Sequence, residues 1–79
     1  MTYYVIRKAG HTDQVCVTKA GAFEMWDCLG RTATVEEHYI DTRSNHWVFT
    51  FTKMSRRTLK NGTVKYYLNN MISETKQEV

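Results

Sequence analysis

Residues 46–72 read HWVFTFTKMSRRTLKNGTVKYYLNNMI, two β-rich runs that meet at Asn61-Gly62. Asn-Gly between alternating apolar residues signals a two-residue hairpin loop, because a type I′ turn needs positive φ at both central positions. Such a loop pairs Lys60 with Thr63 and fixes the register behind it. Trp47, Phe49, Phe51 and Leu59 then share a face with Val64, Tyr66, Leu68 and Ile72. The opposite face carries Thr50, Thr52, Arg56, Thr58 and Lys60 with Lys65, Tyr67 and Asn69. The first set is the expected core face; the second is wet and cationic, with a tyrosine among the bases. Arg57 fits poorly. It falls on the core face beside Tyr66, so either the ladder bulges near Met54-Ser55 or that end of the sheet is uncovered.

The rest of the chain supplies neighbours for this hairpin. Residues 2–8, TYYVIRK, are β-branched and aromatic and read as a strand. A loop over 9–13 leads to a returning strand over 14–18, with Tyr3, Val5, Val15 and Val17 of one parity. Over 20–29 the spacing turns helical: Ala22, Trp26 and Leu29 recur at i, i+4 and i+7, with Phe23 beside them. Thr18 is placed to cap this helix and Gly30 to end it. Its apolar stripe suits the aromatic face of the hairpin. Residues 32–41, TATVEEHYID, read as a strand that turns through 42–45 into Trp47. The order is ββαβββ. The expected fold is α+β: a small antiparallel sheet of about five strands with one short helix packed on one face. Residues 1–73 form a single domain, followed by a frayed polar tail over 74–79.

Composition narrows the classes. The 79 residues are 42% hydrophobic and 13% aromatic, values of a folded domain. A core this small supplies only about 3–5 kcal/mol unless well packed or completed by a partner. The N-terminus lacks a signal pattern, and no run approaches the roughly 18 apolar residues of a membrane span. A soluble cytoplasmic protein is expected, with Cys16 and Cys28 reduced. The opening Met and polar end read as a whole small gene product.

No catalytic or metal motif stands out, and no cofactor is expected. The candidate ligands Cys16, Cys28, His11, His38 and His46 lack the close Cys and His pairs of zinc modules. Neither cysteine sits in a nucleophile turn, and Glu36 and Glu37 point to opposite faces of a strand. No phosphate-binding glycine loop is present. His38 and His46 flank the second turn region and read as uninvolved, with pH sensing as the other reading.

Charge carries the sharpest signal. The net charge is +3, yet residues 53–65 hold Lys53, Arg56, Arg57, Lys60 and Lys65 with no acid. The remaining residues carry six bases and eight acids. With Tyr67, these five cations form the expected binding surface. Three readings follow: contact with an acidic protein surface or a nucleic-acid-handling complex, a β-ribbon contacting nucleic acid directly, or a solvated face that deters edge-to-edge aggregation. Small size and absent chemistry favour a non-enzymatic binding protein, of the kind phages use as anti-defence or host-takeover inhibitors. The alternative is a β-ribbon nucleic-acid binder or small transcriptional regulator. A homodimer through an uncovered sheet edge is compatible with either.

Overall fold

A computed structural model describes residues 1–77. Strands β1 (Thr2–Arg7) and β2 (Gln14–Cys16) precede the helix α1 (Lys19–Cys28). Strands β3 (Thr34–Ile40), β4 (His46–Thr58) and β5 (Val64–Gln77) follow it. They form one antiparallel sheet in the order β2-β1-β3-β4-β5, with the helix against one face. The ββαβββ order and α+β class are those expected from the sequence.

The helix is fixed at both ends by its own residues. Thr18 stays extended, and its hydroxyl accepts from the Gly21 N–H at 3.0 Å. At the other end Gly30 adopts φ +76°; its N–H donates to Asp27 O and that of Arg31 to Trp26 O. This paired closure satisfies two of the last carbonyls and requires the left-handed conformation glycine adopts without strain. Lys8 Nζ donates to Leu29 O at 2.8 Å, placing a cation at the negative end of the helix dipole.

The core lies where the helix meets β1, β3 and the middle of β4. Ala22, Phe23 and Trp26 point down onto Tyr4, Ile6, Val35 and Met54, with Ala33 closing the edge. Trp26 Nε1 donates to Ala33 O at 3.0 Å, so the indole buries its ring and still satisfies its donor. Leu29, Tyr66 and Leu68 pack around this cluster.

The expected hairpin register is corrected at its turn. Leu59, not Lys60, faces Thr63: the Leu59 N–H donates to Thr63 O at 2.7 Å, and Gly62 N–H to Leu59 O at 3.0 Å. The loop therefore has three residues, with only Gly62 left-handed at φ +86°. The Asn61 side chain accepts from the Thr63 N–H at 2.9 Å, which holds the three-residue loop. A slip of one residue sends every side chain to the other face. Met54 and Arg56 therefore turn toward the helix, opposite Leu68 and Tyr66. The register shift lies between Thr50 and Phe51, not near Met54-Ser55: Phe51 faces Met71, whereas Thr50 faces Ser73. The extra residue, Ile72, restores the expected pairing from Thr50 back to His46.

The expected core face is only partly realised. Trp47 and Phe49 stack with centroids 6.3 Å apart, but they are half-buried and lie outside the core cluster. Val64 and Ile72 are exposed. Residues 74–77, expected to fray, end β5 and pair with His46 to Phe49; the remainder of that tail lies outside the described residues. Val15 and Val17 are exposed, because β2 presents Cys16, not its valines, toward the helix.

Two measurements probe this arrangement. Ile6 is fully buried, so Ile6→Ala should cost about 2–5 kcal/mol, comparable to the about 3–5 kcal/mol a core of this size supplies. Urea titration should show little folded protein for Ile6→Ala, while the exposed control Val15→Ala should stay within about 0.5 kcal/mol of the parent. Tyr4 reports on the same layer. Burial, then the Glu37 charge and hydrogen bond, push its phenol up to about 12 from 10.0. The neutral phenol is favoured in the fold, so this contribution is complete below about pH 10 and lost as pH rises toward about 12. Phenolate absorbance should show a last-ionising tyrosine that Tyr4→Phe removes and Glu37→Gln brings to lower pH.

Candidate functional site

Beyond the body of the sheet, β4 and β5 continue as a two-stranded ribbon. Strand β3 pairs with β4 from His46 to Phe51, and the β4–β5 ladder runs on to Thr58 and Val64. The helix supports one side of this ribbon. Phe23 meets Tyr66 at 5.4 Å between centroids, and the Arg56 guanidinium lies 5.3 Å over the Phe23 ring.

The other side is the cationic face. Lys53, Ser55 and Arg57 stand directly opposite Asn69, Tyr67 and Lys65. Lys53, Arg57 and Lys65 are exposed, and Tyr67 is 41% exposed among them. Asn69 Nδ2 donates to Ser55 Oγ at 2.9 Å, which ties the two strands across the middle of this face. Of the residues singled out from sequence, the structure thus groups Lys53, Arg57, Lys65 and Tyr67. Arg56 goes to the helix side, and Lys60 sits in the loop at the ribbon tip. Arg57 joins the cations because of the three-residue loop, not because of a bulge beside it.

Arg57 and Lys65 form a like-charge pair at directly opposed positions, an arrangement that destabilises a ladder. No acid occurs from residue 53 to residue 73. Among the described residues, the ion pairs engage Arg7, Arg31 and His38, not the ribbon cations. Glu36 and Glu37 do not offset the ribbon charge, since β3 places them opposite Thr50 and Phe49.

A second polar cluster, not foreseen as a unit, occupies the sheet face away from the helix. Glu36 Oε2 accepts from Arg7 Nε at 2.9 Å, and Arg7 also pairs with Asp13. Glu36 Oε1 lies 2.9 Å from His38 Nε2, and His38 Nδ1 lies 2.8 Å from His46 Nε2. Tyr3 stacks on His38 with centroids 4.7 Å apart and planes 12° apart. His38 is only 8% exposed. The hydrogen bond to Glu36, then its charge, raises the Arg7 guanidinium pKa further, with Asp13 adding to the effect. The two histidines are eight positions apart, and only adjacency of β3 and β4 brings them together.

Among the described residues no group of three or more His, Cys, Asp or Glu side chains is arranged to hold a metal ion. No helix of the described residues is long and apolar enough to cross a membrane. Comparison with protein-family models, with curated proteins and with solved structures gives no match.

The like-charge pair yields a stability prediction. Lys65→Glu replaces a repulsive opposed pair by an attractive one, worth a few tenths to about 1 kcal/mol in an exposed ladder. Chemical denaturation should show a raised midpoint at low salt, with the gain shrinking as salt screens the pair.

Proposed function

We propose that this protein is a non-enzymatic binding protein that docks the cationic face of its β4–β5 ribbon on an acidic protein surface. The observation that carries the reading is Arg57 opposite Lys65, flanked by Lys53 and Tyr67 and without an acid for twenty-one residues of chain. Such a face costs the free protein electrostatic free energy that an anionic partner would relieve. Arginine and tyrosine are also the side chains that most often anchor protein interfaces. Exposed Met71 and Ile72, beside the register shift, add apolar surface to the same hairpin. Occlusion of a larger assembly in the cytoplasm, as small phage-encoded inhibitors do, is the mode of action that asks least of so small a chain.

One observation favours a second reading. The free part of the ribbon is two strands wide, the width a duplex major groove admits, and Tyr67 lies between Lys65 and Asn69. A nucleic-acid ligand would be held chiefly by phosphate contacts.

The two readings separate in a single experiment. Tagged protein is used to capture partners from lysate with and without nuclease, alongside the triple variant Lys53→Glu, Arg57→Glu, Lys65→Glu. Under the first reading a defined protein survives nuclease treatment and is lost with the triple variant. Capture that vanishes with nuclease, and whose affinity falls by roughly 0.9 log units per log unit of salt for each phosphate contacted, would establish the second. Capture unchanged by charge reversal would reject the assigned face.

A further inference from the structure

We infer that His38 and His46 form a two-imidazole site for a divalent transition-metal cation of the zinc and copper class. The geometry of hydrogen bonding sets the protonation pattern. A carboxylate only accepts, so His38 Nε2, 2.9 Å from Glu36 Oε1, carries the proton. In the neutral ring Nδ1 then presents a lone pair, and it is aimed at His46 Nε2 at 2.8 Å. At that distance the two nitrogens share one proton, which a cation can replace. Neutral His46 meets the change by carrying its proton on Nδ1 and turning the Nε2 lone pair inward, so the exchange balances without an outside base.

The surroundings are those a metal-binding imidazole uses. A ligating histidine commonly donates its remote N–H to a carboxylate, which fixes the tautomer and raises ligand basicity; Glu36 stands in that position. Glu36 is itself held by Arg7, and Arg7 by Asp13, so the orienting carboxylate is fixed from behind. Tyr3 stacked on His38 fixes the ring plane. His46 begins β4 and is half-buried. With metal–nitrogen bonds of about 2.0–2.1 Å in tetrahedral geometry, the nitrogens need to part to about 3.3 Å. That is about half an ångström beyond the hydrogen-bonded distance. Imidazole nitrogen selects zinc, copper and nickel over magnesium and calcium, and water completes the coordination. This inference is independent of the proposed ribbon function.

Isothermal titration of the full chain with zinc chloride at neutral pH, with magnesium chloride as control, tests it. Saturable uptake of one zinc per chain is expected, with none of magnesium. His46→Ala should weaken uptake at least tenfold, and Glu36→Gln by about tenfold or more through loss of the orienting carboxylate. Uptake should persist in Cys28→Ser and His11→Ala, whose side chains are exposed competing ligands. Imidazole NMR resonances of the unsubstituted protein give a readout that needs no variant: those of His38 and His46 should shift with zinc and that of His11 should not. Absence of saturable uptake, or uptake that survives His46→Ala but is lost in Cys28→Ser or His11→Ala, would overturn the assignment.

Discussion

The governing constraint is a shortage of cover. A ten-residue helix is about 15 Å long, whereas five strands at about 4.8 Å spacing make a sheet about 19 Å across. Strands β4 and β5, at 13 and 14 residues, extend over 40 Å along their axis by the usual rise of about 3.3 Å per residue. One helix cannot screen that area. It is spent where β1, β3 and Met54 present their apolar residues, and this is where every strongly buried aliphatic side chain of the helix-side core is found. The ribbon overhang and the helix-free face are left to manage their own exposure.

They manage it differently. On the helix-free face, polar side chains form a hydrogen-bonded chain from Asp13 through Arg7, Glu36 and His38 to His46. Each group finds a partner within the layer. No buried side-chain nitrogen or oxygen among the described residues lacks one. A single layer of side chains can thereby bury His38 without a second layer of secondary structure, because the partners themselves exclude water. On the ribbon the side-chain hydrogen bonds join Asn69 to Ser55 and Asn70 to Thr52, and Lys53, Arg57 and Lys65 stand exposed beside them.

What was legible in the sequence follows from how local each signal is. The helix was readable because its cap at Thr18, its stripe of Ala22, Phe23 and Trp26 and its terminator Gly30 lie within thirteen residues and reinforce one another. The order of elements along the chain and the class followed from runs of β-branched residues and turn chemistry. The hairpin register was not readable, because Asn61-Gly62 fits both a two-residue loop with two left-handed residues and a three-residue loop with one. The second was adopted, and one residue of difference exchanged Arg56 for Arg57 on the cationic face. Ile72 then undid that slip farther along β5, a compensation no local motif announces. The histidine pair was hidden for another reason. His38 and His46 meet across a ladder whose register depends on a turn, and the Asp41 side chain sets that turn by accepting from the Arg43 and Asn45 N–H groups.

The cationic ribbon is best understood as a consequence of the same shortage. An exposed hairpin that the helix reaches from one side only would offer unpaired edges to other chains, and lysine and arginine are a common defence against such pairing. That defence alone explains bases, but it does not require them to face one another across the ladder. Arg57 opposite Lys65 costs stability where Arg57 opposite an acid would deter aggregation equally well. Clustering the charge instead of alternating it gives up a little of a small reserve of stability. An anionic surface that meets the ribbon would return it, which is why the opposed pair, more than the net charge, argues for a partner.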